Sequence, residues 1–282
     1  MNPAYAIGSA SSLLWGTADF LGGLAARRAP APLVAGFSGV GGLALLLVAM
    51  PFMPGTPATT DLLWGVAAGA CGAVGASLMY RSLALGPMSL ASPVFSLVGL
   101  CVPVLFGLAA GERPSALAWV GVALAALAIP LLAITGEGPG HHTRAHVRRT
   151  LMVAIAAGLV IGWFLVFVAR IGGSAGLMPL VVARGIAMGI ILGWYLARRQ
   201  PLVPPAATRL PALGAGALDS AANVAFLIAV HRAPLVLISA LVSLAPAATV
   251  LIARFTLGER WTVAQGVGLI VAVGAGVCIS VG

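Results

Sequence analysis

Hydrophobic residues run through this chain in ten stretches of ~20 positions, separated by charges, Pro/Gly clusters and short polar turns. The stretches cover 4–26, 31–52, 61–84, 88–110, 115–135, 150–170, 176–197, 208–230, 234–256 and 261–281. Within each, apolar residues are continuous and do not alternate with period two, which predicts membrane-crossing helices and argues against a barrel. The first stretch has no basic residue ahead of it and is too long for a signal peptide core, so it reads as a retained helix. A single long polar segment, from Thr135 to Thr150, divides the helices five and five. The expected organisation is a first five-helix unit over 1–135, a linker over 136–149 and a second unit over 150–282.

The two units repeat one another. Gly111-Glu112-Arg113 recurs 147 positions later as Gly258-Glu259-Arg260. At the same offset Pro32-Leu33-Val34 meets Pro179-Leu180-Val181, Ser92 meets Ser239, Ser96-Leu97 meets Ser243-Leu244, and Val120-Gly121 meets Val267-Gly268. Because five crossings is an odd number, the second copy must enter the membrane from the opposite side. Ten helices in two inverted repeats are therefore the predicted architecture, the one in which a rocking motion exposes a midplane site to each side in turn.

Composition agrees with lipid as the solvent: 61% of residues are hydrophobic, 7% are charged, and mean hydropathy is +1.10. The net charge of +9 comes from 15 arginines with no lysine, which excludes Schiff-base chemistry. The arginines lie singly or in pairs between apolar runs, where the positive-inside rule accounts for them without a nucleic-acid partner. Cys71, Cys101 and Cys278 fall inside apolar runs without metal-ligand spacing and read as packing residues. No nucleophile, metal or phosphate-loop constellation emerges, so an enzyme, a cofactor and a metal site are not expected. The expected partners are a small-molecule substrate and the bilayer, with the chain as a monomer or homodimer.

At this point the chain resembles the EamA family of the drug/metabolite transporter superfamily. The resemblance rests on Trp15-Gly16 in the first helix, Arg184 in the seventh, and Pro246 followed by Leu257-Gly258-Glu259. The first half departs from the pattern, with Phe37 where the second half has Arg184, Gly99 where it has Pro246, and Ala110-Gly111-Glu112 where it has Leu-Gly-Glu. The resemblance implies secondary transport or export of amino acids, related metabolites or drugs through a central cavity, in a bacterial inner membrane. A carrier for sugars, nucleotide sugars or other organic anions is the alternative, and a membrane assembly or lipid-handling protein is a third.

Charges at membrane depth cost ~2.5–3.5 kcal/mol each to insert and mark candidate sites. Arg184 and Asp219 form either a structural ion pair between neighbouring helices or a substrate clamp, with Arg184 for an anion and Asp219 for an amine or proton. Asn223 shares a helix face with Asp219 one turn on. Asp19, one turn after Trp15, is either a helix-end carboxylate reaching headgroups near Arg27 and Arg28 or a protonation site in the cavity. Ser92 and Ser96, mirrored by Ser239 and Ser243 near Pro93, Pro103 and Pro246, either pack helices closely or, with the prolines interrupting their helices and freeing carbonyls toward a cavity, contact substrate. Trp15, Tyr80 and Trp163 are cavity walls or interfacial anchors.

Glu112 and Glu259 precede helices and read as caps on the helix that follows each. His141, His142 and His146 sit in the linker beside arginines, in a tract too short and Gly-rich for metal binding to be the expected reading, and His231 reads as interfacial. Arg27, Arg28, Arg144, Arg148, Arg149, Arg198, Arg199, Arg209 and Arg260 lie on one face, against Arg113, Arg170 and Arg232 on the other. That count places both termini outside, whereas the resemblance implies both inside.

Overall fold

The computed structural model describes residues 2–85, 88–132, 134, 144–257 and 262–282. They form α1 (Pro3–Ala26), α2 (Ala31–Ala49), α3 (Thr59–Leu85), α4 (Met88–Ala109), α5 (Ala116–Leu132), α6 (Arg144–Ala169), α7 (Met178–Ala197), α8 (Ala206–Val230), α9 (Leu235–Val242), α10 (Ala245–Leu257) and α11 (Val263–Val281), with a 3-10 turn over Met50–Phe52. Among the described residues there is no strand. Seven of the helices are long and apolar enough to cross a bilayer on length and composition alone. α1, α5, and α9 with α10 in series complete ten crossings.

Local chemistry sets the helix starts. Proline occupies the first turn of α1, α2 and α7, where its missing N–H is not needed. The Asn2 side chain caps α1 by accepting from the Ala4 amide at 3.0 Å, and Thr262 opens α11 in a reciprocal capping box with Gln265. α6 begins at Arg144, six residues ahead of the expected 150, because the basic residues there extend the helix toward the polar interface. The rest of the expected linker lies mostly outside the described residues, as do Glu259, His141 and His142.

The ninth crossing differs from expectation. It is not one helix over 234–256 but two, interrupted at Ser243 and Leu244, with Pro246 in the first turn of the second piece. Its counterpart α4 carries Pro93 and Pro103 and runs through both without a break. The interruption is therefore a property of one half only.

Packing shows the inverted duplication directly. α1 lies along α8 as α6 lies along α3; α2 packs on α8 as α7 packs on α3; α4 meets α6 as α9 and α10 meet α1. Exchanging the halves maps α2–α7, α5–α11 and α4–α9 onto themselves, so these three pairs straddle a two-fold axis in the membrane plane. The ends follow the same rule: the Asn2 side chain donates to the Arg232 carbonyl at 2.9 Å, and His146 Nε2 bonds the Leu85 carbonyl, acceptors that lie 147 positions apart. Small residues bring the helices together. A Cβ on Gly216 would run into the Ser38 carbonyl of α2, and one on Gly16 into the Ala245 carbonyl that starts α10. Large apolar side chains such as Leu47, Val48, Leu105, Leu210 and Ile270 point outward, as lipid-facing surfaces require.

Candidate functional site

A cavity of about 150 Å³, measured for the centres of water molecules, opens between the halves. At ~10–15 Å³ per water that is room for about ten, enough for a small ligand. Eight of the ten crossings line it; among the described residues α5 and α11 contribute nothing and stand together outside it.

Its polar centre is built by α1, α7 and α8. Gly16 lets α10 approach α1 so closely that the Thr249 hydroxyl donates to the Gly16 carbonyl at 2.9 Å. Fixing that turn of α1 aims the neighbouring Trp15 at α8, where its indole Nε1 donates to Asp219 Oδ1 at 2.9 Å and its ring packs on Phe226 with centroids 5.7 Å apart. From α7, Arg184 crosses over Gly39 and Gly42 of α2 to pair with Asp219 Oδ2, and donates to the Ser220 hydroxyl at 2.8 Å. Asn223 Nδ2 adds bonds to the Asp219 carbonyl at 2.7 Å and to Oδ2 at 3.2 Å. The pair is thus a networked unit spanning three helices, with side chains 17% and 29% exposed to the cavity.

Of the expected residues, Trp15, Asp19, Ser96, Arg184, Asp219, Asn223, Ser239 and Ser243 line the cavity. Asp19 is buried, so it is not a helix-end carboxylate among headgroups. Three expected residues lie elsewhere. Tyr80 is 3% exposed and packs against Gly22 of α1, because the cavity stripe on α3 runs through Cys71, Gly72, Gly75, Ala76 and Met79, one position out of phase with it. Trp163 is 45% exposed on the outside of α6, beside Phe167; its neighbour Phe164 takes the cavity position. Ser92 is buried one turn below Ser96 and away from the cavity, its hydroxyl without a partner.

Glu112 also departs from expectation. Gly111, at φ 94°, turns the chain so that the Glu112 carboxylate faces away from α5 and accepts the amides of Leu235 and Val236, both at 2.9 Å. It caps α9, in the other half, while Ser115 caps α5 through the Ala118 amide. Sequence spacing alone hides this because the capped helix lies more than 120 positions away. His231 bonds the Ile171 carbonyl at 2.7 Å at the same face, a structural contact. Residues missed by sequence reasoning are the apolar walls, Phe95, Met79, Phe164 and Met188, which carried no polar mark to single them out. Among the described residues no group of three or more His, Cys, Asp or Glu could hold a metal.

The sequence profile of the EamA-like transporter family matches residues 2–134 and 148–281, one match in each half. A solved crystal structure shares 19% identity and covers 99% of this chain and 96% of its own, with a TM-score of 0.75, a likeness of fold. No curated protein matches.

Proposed function

Because the chain belongs to the EamA-like transporter family, and so is a multi-pass membrane transporter of small molecules, we propose that it is a secondary carrier that exports amino acids or related metabolites by alternating access. The observation that carries this is a polar-centred cavity at the junction of two inverted repeats, lined by eight crossings and flanked by the α5–α11 pair. In this mechanism the units 1–135 and 150–282 rock against each other about the two-fold axis. The cavity opens to one face and then the other. Apolar walls and the Trp15 ring take the substrate's body, while Ser96, Asn223, Ser239 and Ser243 offer hydrogen bonds to its polar end. A bacterial inner membrane is the proposed location.

Arg184 is bound to Asp219, which removes the feature that would favour a carrier of organic anions. An open hollow likewise disfavours a packed assembly or lipid-handling protein. The test is transport in proteoliposomes preloaded with a panel of amino acids and analogues, alongside growth protection of expressing cells against toxic analogues. Export of at least one, lost in Arg184→Gln and Asp219→Asn, is expected. No flux for any member of the panel by well-folded protein would refute the proposal.

A further inference from the structure

The fixed charges that face the cavity do not balance. Two carboxylates, Asp19 and Asp219, meet one guanidinium, Arg184. Asp219 is fully engaged, accepting from Trp15 on one oxygen and from Arg184 and Asn223 on the other. Asp19 is the opposite case: it is 6% exposed, and no described residue gives it a hydrogen bond or an opposite charge. A carboxylate that faces the cavity with no partner from the protein keeps its charge and its acceptors for what enters there, a proton or a cation.

The unspent hydrogen-bonding capacity points the same way. Asn223 commits its NH₂ to two Asp219 acceptors, which fixes the amide orientation and leaves Oδ1 buried without a partner. Ser239 Oγ on α9 is buried without a partner too. Their heights follow from the antiparallel register of α1 and α8. Ser11 bonds the Ala222 carbonyl and Trp15 bonds Asp219, so Asp19 falls one turn to one side of the ion pair and Asn223 one turn to the other. At 1.5 Å per residue each lies ~6 Å from the pair along the helix axes. The cavity is a ladder with acceptors at both ends and a neutralised pair in the middle.

Resting on the transport reading above, we propose that the cavity takes organic cations, amines with an aromatic or aliphatic body, and that Asp19 receives the ammonium and otherwise holds a proton. As an amine docks, the Asp19 O–H bond breaks, its electron pair stays on the carboxylate oxygen, and the proton leaves to water at the open face. Departure of the amine reverses the exchange, with no change of oxidation state. Asp219 on α8 and Tyr80 on α3 are the ionisable groups that act on Asp19, and Arg184 on α7 reaches Tyr80 and Asp219; α3 also carries Asp61, Cys71 and Arg81, and α8 carries Arg209. α2 and α9 carry none, α11 carries Cys278, and the Arg254 side chain of α10 lies outside the described residues. Phe95, Phe164, Met79 and Met188 supply the wall for the amine's body, including contacts that suit an aromatic ring.

Three probes with the same ring and different charge separate the outcomes: 2-phenylethylamine, phenylalanine and 3-phenylpropionate. Binding to the full-length purified chain is followed by equilibrium dialysis, and proton release by an indicator dye in weak buffer. The amine is expected to bind with release of about one proton per molecule, and Asp19→Asn to weaken it about tenfold or more and abolish the release. Asp19→Glu, which keeps the acid, retains both, and unchanged thermal unfolding shows that each variant is folded. Absence of amine binding, binding of the propionate as tight as that of the amine, or full proton release in Asp19→Asn overturns the proposal. Proteoliposomes that move phenylalanine or the propionate but not the amine overturn it while leaving transport intact. Amine binding with proton release but no flux overturns the transport reading alone.

Discussion

Removing either partner of the Arg184–Asp219 pair leaves the other without its counter-charge inside the membrane, and the losses from the two sides differ. Breaking a buried pair one partner at a time costs ~3–5 kcal/mol. The 17% and 29% exposure of these side chains lets cavity water recover part of that, which puts Asp219→Ala at ~2–3 kcal/mol. Arg184 is then left with the Ser220 hydroxyl as its remaining acceptor, and Trp15 loses the acceptor of its indole N–H. Arg184→Gln costs less, ~1–2 kcal/mol, since Asp219 keeps the Trp15 and Asn223 donors. The double variant Arg184→Gln/Asp219→Ala removes both charges and recovers ~1.5 kcal/mol relative to the sum of the single changes. Reversible unfolding in mixed micelles, followed by tryptophan fluorescence and circular dichroism, measures all three. Additivity within ~0.5 kcal/mol would show that the pair is not coupled, and the description of a networked centre would be wrong.

Glu112→Ala, which strips two charge-assisted bonds from the start of α9, lowers unfolding stability by ~1.5–3 kcal/mol, and Glu112→Gln by ~1; thermal unfolding in detergent with no loss in the Ala variant contradicts the cap. Gly42→Ala puts a methyl 2.9 Å from Arg184 Nε and from the Gly216 carbonyl and costs ~1–3 kcal/mol, whereas Gly185→Ala on α7 meets nothing within 4 Å and gains up to ~1; the same unfolding assay giving equal effects refutes the packing contrast. Cys71 lines the cavity while Cys101 is exposed on the outer surface of the bundle, so a charged, membrane-impermeant thiol reagent modifies Cys71 and spares Cys101, as mass spectrometry of digests reports; labelling of Cys71 only after denaturation would mean that water does not reach it.

The ten crossings and the repeat could be read from the chain because lipid demands long apolar runs and because insertion from opposite faces leaves a constant offset between equivalent residues. Arg184, Asp219 and Asn223 were legible for the converse reason: polar groups at that depth need a purpose. Which way a helix faces was not. Tyr80 and Met79, or Trp163 and Phe164, are neighbours in sequence that the 100° step of a helix sends to different surroundings, and in a uniformly apolar span no polar stripe fixes the phase. The interruption at Ser243 was only half legible: that prolines break both helices is one reading of the sequence, but Pro246 resembles Pro93 and Pro103, over which α4 runs unbroken. Asp19 was visible as an acid, but that none of the described residues partners it is a fact about the helices packed around α1.

The jointed ninth crossing has an implication for energetics. A carrier assembled from two identical halves would have inward-open and outward-open forms of equal free energy, since exchanging the halves converts one into the other. Here the helix is interrupted in one half and continuous in the other, so the degeneracy is lifted. In the proposed alternating-access cycle this two-residue gap, one of whose residues, Ser243, also lines the cavity, is one of the differences between the halves that bias the resting orientation, and moving it by mutation is expected to tilt the balance between the forms.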